Sequence, residues 1–157
     1  MFFTSAEHKQ RFLMAIIHET GKVERGKADP EYAAALYILT SNMDTWEQAR
    51  DYIGRDGIDF ADLLHEAHFS GGYIVLIRLA GNLFNDQTEC SPVDLMRLDD
   101  RNFQVAFTAL QLRRVSLPVS EIASEEELFR LEMDARHRGA VEDRDKAWLP
   151  IQPGEKF

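Results

Sequence analysis

The feature that most constrains this chain is its punctuation. Helix-starting signals recur along its whole length, and sustained strand signals do not. Thr4 and Glu7 have capping-box spacing ahead of Phe12, Leu13, Ile16 and Ile17, and Gly21 closes that segment. Asp29-Pro30 places a capping carboxylate before a proline at the first helical position, and Tyr32 to Leu39 behind it is apolar nearly all round. Such a helix must be buried. Thr45 and Gln48 repeat the capping box before Trp46, Ala49, Tyr52 and Ile53, with Gly54 as the stop. Asp59 caps a further helix whose inner face is Phe60, Leu63, Leu64 and Ala67, and Ile58 is placed to staple onto Leu63.

Ser70-Gly71-Gly72 introduces the most hydrophobic segment, which predicts a central helix over about 72–85. Ser91-Pro92 then repeats the cap-plus-proline device. Asp99 or Asp100 opens a longer helix with an apolar stripe at Phe103, Phe107 and Leu110. The only candidate strand, Val115 to Val119, contains Pro118, which demotes it to an edge or an extended connector. Ser124 and Glu127 form a last capping box for a charged helix with Leu128, Leu131 and Ala135 on one side, ending at Gly139. No internal repeat is evident. The expected fold is mainly α: a compact helical core over 1–115, then a connector, a charged helix and a tail over 116–157, with Trp148 and Leu149 pinning the tail to the surface.

Several short strings are distinctive as a set: Ser5-Ala6-Glu7-His8, Ala35-Leu36-Tyr37-Ile38-Leu39, Arg78-Leu79-Ala80-Gly81-Asn82-Leu83-Phe84-Asn85 and Ser91-Pro92-Val93-Asp94-Leu95. Through them the chain resembles an uncharacterised family of small bacterial proteins, a domain of unknown function frequent on Gram-positive mobile elements. The resemblance covers about residues 4–115. It implies a fold and a genomic setting but no activity, cofactor or catalytic residue.

Charge narrows the partners. With 18 basic against 27 acidic residues the formal charge is −9, which repels a duplex or an anionic membrane. The imbalance is confined to two stretches. Asp44, Glu47, Asp51, Asp56, Asp59, Asp62 and Glu66 face only Arg50 and Arg55; Asp86, Glu89, Asp94, Asp99 and Asp100 face only Arg97. The remainder is balanced. Several of these acids are caps or first-turn residues, but together they also describe a surface complementary to a basic protein partner. Neither a basic leader nor a long apolar run is present, so the expected setting is cytoplasmic, and the single cysteine, Cys90, forbids an intramolecular disulfide. Asp86 and Glu89 are expected to raise its thiol pKa.

Two constellations could carry chemistry. Asp62, His65 and His68 stand three apart, so one helix could present all three to a metal, with His8 or His18 completing the set. Arg78, Asn82 and Asn85 form a polar stripe behind the Ser70-Gly71-Gly72 turn, a pattern that suits a phosphate or carboxylate. The structural alternative ties Arg78 to Asp59, Asp94 or Asp99. The phosphate-loop lysine and the dinucleotide glycine spacing are both missing, no nucleophile stands in an elbow, and no cofactor is implied. The leading expectation is a non-enzymatic acidic protein that binds a basic macromolecule, a mobile-element accessory or anti-defence factor directed at a nucleic-acid-handling protein such as a CRISPR nuclease. The competitors are an anion- or nucleotide-binding or metal-dependent enzyme using residues 62–82, and a homo-oligomer built through the helix over Ser124 to His137.

Overall fold

The computed structural model describes residues 1–147 and is mainly helical. Trp148, Leu149 and the rest of the tail lie outside the described residues. Helix α1 (Ala6–Leu13) continues as a π-helical turn (Met14–Glu19) and is followed by strands β1 (Val23–Glu24) and β2 (Lys27–Ala28). Then come α2 (Pro30–Leu39), α3 (Met43–Ala49) with a 3-10 turn to Tyr52, and strands β3 (Ile53–Gly54) and β4 (Gly57–Ile58). Six helices complete the order among the described residues: α4 (Phe60–Glu66), α5 (Gly71–Asn85), α6 (Pro92–Leu95), α7 (Asp100–Arg114), α8 (Val119–Ile122) and the long α9 (Glu125–Ala147). No helix among the described residues is long and apolar enough to cross a membrane.

Most caps form where the residue types place them. Asp29 accepts from the amides of Glu31 and Tyr32 at 3.0 and 3.1 Å, and Asp59 and Asp99 accept from Asp62 and Asn102 at 3.0 and 2.8 Å. Ser124 and Glu127 make the reciprocal pair, at 2.7 and 3.2 Å. Backbone bonding and the Lys9 ammonium, 3.0 Å away, hold the Glu127 carboxyl below the usual range. Two caps are displaced. The hydroxyl that caps α1 is Ser5 rather than Thr4, because the Thr4 hydroxyl donates to Ser41 O at 3.0 Å. Asn42 rather than Thr45 caps α3, whose first turn begins three residues earlier than the capping-box spacing suggests.

Helix α2 is the hub. Tyr32 to Leu39 are all buried, and the helix packs against both α5 and α7. Three consecutive alanines, Ala33 to Ala35, allow that approach on more than one side. The apolar segment after the glycines forms α5 as expected and shares the centre with α2. Helix α7 turns the other way from its stripe: Val105, Ala106, Thr108, Ala109 and Leu112 are buried, while Phe103, Phe107 and Leu110 face out. Small side chains, not large ones, suit the close contact with α2, so the larger ones are left outside.

The two hairpins are the elements that the alternation of residues could not announce, since each strand has two residues. Val23 pairs with Ala28, and Ile53 with Ile58. Each hairpin joins a helix end to an aspartate-capped helix, so one element order occurs twice, thirty residues apart. Val115 to Val119 is an extended connector lying along β2. Ala28 N–H donates to Leu117 O at 3.0 Å and Val119 N–H to Gly26 O at 2.8 Å, so the register asks for no N–H from Pro118.

Candidate functional site

The acidic residues of the second hairpin unit converge. Asp59 follows β4 and caps α4, which sets its carboxylate beside Asp62 one turn on; the hydrogen bond with Asp59 and its charge push the Asp62 carboxyl up. Tyr52, at the end of the preceding turn, donates its hydroxyl to Glu66 at the far end of α4. Its proton is held so firmly against that carboxylate, with Asp62 and Asp51 nearby, that its pKa is pushed up to about 12. Asp51, Asp62 and Glu66 therefore gather around one phenol, with Asp59 bonded to the Asp62 end of the group. Asp56, at the hairpin tip, borders an open cleft of about 650 Å³ together with Lys22, Tyr32 and Asp59.

The second acidic stretch is stitched to the first by one side chain. Gln87 donates to Ile58 O at 2.8 Å and accepts from Phe60 N–H at 3.2 Å, docking the loop after α5 against the root of α4. Asp86 and Glu89 stand exposed on that loop. Glu47 falls elsewhere, in a groove with Glu7, Arg11 and Arg138. All seven acids from Asp44 to Glu66 are exposed, and among the described residues none is in an ion pair, whereas Glu31, Asp94, Glu126, Glu127 and Glu132 are.

The metal constellation does not assemble. Helix α4 stops at Glu66, so His68 lies beyond the helix, off the face shared by Asp62 and His65; its amide is held by Gln48 Oε1 at 2.9 Å. No group of three or more metal-ligating side chains gathers among the described residues. His18 borders a different groove, between the end of the π-helical turn and α9. His8 is fully buried and already committed. Thr4 N–H donates to Nδ1 at 3.1 Å, so the proton sits on Nε2, which donates to Tyr37 O at 2.8 Å.

The anion constellation does not converge either. Ser70 to Asn85 is strung along one helix at about 1.5 Å per residue, roughly 22 Å from end to end, too far for one small anion. Both amide hydrogens of Asn82 are used at home, on Asp86 Oδ1 and Thr88 O at 3.0 Å each. Arg78 is exposed and forms no ion pair with Asp59, Asp94 or Asp99, so it neither ties helices together nor needs a buried partner. Gly72 serves packing, since a β-carbon there would stand 3.2 Å from Asn102 Nδ2. Cys90 is half-buried, and its thiol is pushed up first by burial and then by Asp94, rather than by Asp86 and Glu89.

A model of the family of unknown function DUF6075 matches residues 1–130. The chain belongs to this family. The match runs through the connector and into α9, beyond residue 115, the expected limit of the resemblance. No curated protein and no solved structure matches the chain. In this DUF6075 member the strings that carried the resemblance have structural work to do. Ser5 to His8 meets Ala35 to Leu39 in the His8–Tyr37 contact, and Tyr37 donates its hydroxyl to Phe2 O at 2.6 Å, pinning the N-terminal segment. In the Arg78 to Asn85 string, Gly81 admits its neighbours: a β-carbon would stand 2.5 Å from Thr88 Oγ1 and 3.1 Å from Phe60 Cγ. Thr88 in turn donates to Arg78 O at 2.6 Å. These residues hold the loop that carries Asp86 against α4.

Proposed function

We propose that this protein is a non-enzymatic binding protein whose acidic face, centred on Asp51, Asp56, Asp59, Asp62 and Glu66, docks on a basic macromolecular surface. The observation that carries it is the crowding around Tyr52 and α4 of exposed carboxylates that form no ion pair among the described residues. Like charges held this close cost stability in the free protein, and a cationic partner relieves that cost on binding. The metal and anion alternatives lack a converged site to support them.

The finer reading is a mobile-element accessory that occupies the nucleic-acid groove of a host nuclease. Its support is the chemistry of the face, which presents closely spaced negative charge as a nucleic-acid backbone does, together with the resemblance to mobile-element proteins. Affinity capture from a native host lysate tests the coarse reading. A partner should be retained at low salt, released as ionic strength rises, and lost with Asp51→Asn/Asp56→Asn/Asp62→Asn/Glu66→Gln. Capture that is indifferent to these four substitutions would refute it. Adding the protein to the captured nuclease tests the finer reading, which predicts competitive inhibition against substrate nucleic acid.

A further inference from the structure

Helix α7 carries an exposed stripe that matches itself when reversed. Phe103, Phe107 and Leu110 are 37%, 48% and 36% exposed, and they share one face of the helix with Asp100 before them and Arg114 after them. The five positions are spaced three, four, three and four, the seam spacing of paired helices. Read from Phe107 outward, an aromatic or aliphatic side chain lies one turn away on each side, with an acid two turns toward the N-terminus and a base two turns toward the C-terminus.

We propose that this face is the interface of an antiparallel homodimer, with a second copy of this chain as its occupant. A two-fold axis beside Phe107 sets Phe103 against the partner's Leu110, and the same register sets Asp100 against the partner's Arg114. The two conditions agree to within one residue, and symmetry supplies both ion pairs at once. Asp100 and Arg114 are exposed and form no ion pair among the described residues, so both are available. Helix α9 also exposes two apolar residues, Phe129 and Met133. There, however, Glu126 and Glu132 are already paired with Arg130 and Arg136 of the same helix, leaving less charge to direct a second copy. Met1 and Val115 extend the α7 surface sideways, since both border a small cavity with Thr108, Gln111, Leu112 and Leu117. A single-helix seam with these additions is at the small end of specific interfaces, and it fits a dissociation constant in about the micromolar range.

Sedimentation velocity of the full chain from about 1 to about 100 µM brackets that constant. The wild type should shift from monomer to dimer across the range. Phe107→Glu should remain monomeric with an unchanged melting temperature, since its side chain is outside the core. Asp100→Arg and Arg114→Asp should each self-associate at least about ten-fold more weakly, the effect of one like-charge contact repeated by symmetry. Mixed in equal amounts, these two variants should form a heterodimer, because both crossing pairs become attractive again. That rescue separates loss of the interface from loss of fold. A wild type that stays monomeric throughout overturns the proposal. So does a dimer that survives Phe107→Glu, which would place the contact on α9 or elsewhere, and so does a mixture that associates no better than its components.

Discussion

Between Val23 and Tyr32, and again between Ile53 and Asp62, the chain makes a two-residue hairpin, an aspartate cap and a helix. The first unit sinks its helix: α2 buries eight consecutive residues. The second lays its helix on the surface, where α4 buries Phe60 and Leu63 and exposes its acids, Asp62 and Glu66. Charge follows the same division. Lys22, Arg25 and Lys27 outweigh Glu24 around the first hairpin, and Asp51, Asp56 and Asp59 outweigh Arg55 around the second. One local code thus builds both a core and a display surface, and burial decides which. The turns differ as well: Arg25 and Gly26 both take positive φ, 53° and 76°, as the tightest hairpin connection requires, while Arg55-Asp56 relies on Gly57.

The sharpest way to break the comparison is to empty each helix. Leu36→Ala, at a position with no solvent exposure, should cost about 3–4 kcal/mol in denaturant unfolding, the range for a fully buried leucine. Leu64→Ala, on the half-exposed flank of α4, should cost about 1 kcal/mol. Equal costs would mean that the second unit belongs to the core as much as the first.

Acid should separate the units next. Burial lowers the His8 pKa from 6.5 to about 4. Between those values the unfolded chain takes up a proton that the folded chain refuses, so the contribution of His8 is fully present above pH 6.5 and is lost as pH falls toward 4. At about 1.4 kcal/mol per unit this amounts to roughly 3 kcal/mol. Urea midpoints measured from pH 7 to pH 4 should fall by this amount beyond the carboxylate contribution, and the slope should flatten in His8→Gln. An unchanged slope would show that α1 and the first unit do not hold His8 neutral.

The caps come third. Asp29→Ala removes an oxygen that serves two amides of the buried helix and should cost about 1–2 kcal/mol. Asp59→Ala also removes a cap, but it relieves the repulsion on Asp62, so its cost should be less than that of Asp29→Ala. Thermal melts of the two variants side by side give the ranking.

These contrasts also show what could be read without a structure. Capping is local chemistry, so Asp29-Pro30, Asp59, Asp99 and the Ser124–Glu127 pair were legible from residue type and spacing. Where two capping residues compete within a few positions, as Thr4 with Ser5 and Asn42 with Thr45, tertiary partners choose between them. The α7 stripe was legible as a stripe but its exposure was not, because large apolar residues at helical spacing ordinarily mark a core, while here the alanine-rich α2 favours small neighbours. Asp62, His65 and His68 looked convergent only on the premise that α4 continues to His68; it ends two residues short. The acidic stretches were visible as segments. That Tyr52 and Gln87 would draw them together depended on contacts between residues far apart in the chain, for which spacing carries no signal.

The smallest effect bears most directly on the acidic face. Asp59→Asn keeps a capping oxygen for the Asp62 amide and removes only the charge. If the second unit holds its carboxylates against their mutual repulsion, this variant should melt at a slightly higher temperature than the wild type in dilute buffer. The difference should vanish near 1 M salt, where screening acts within about 3 Å. Asp29→Asn in the first unit is the matched control, with the same cap geometry and no acidic crowd, and it should show no such gain. A gain in neither variant would mean that the carboxylates around Tyr52 are already relaxed by solvent. The electrostatic argument for a cationic partner would then fail, although the fold that gathers them would stand.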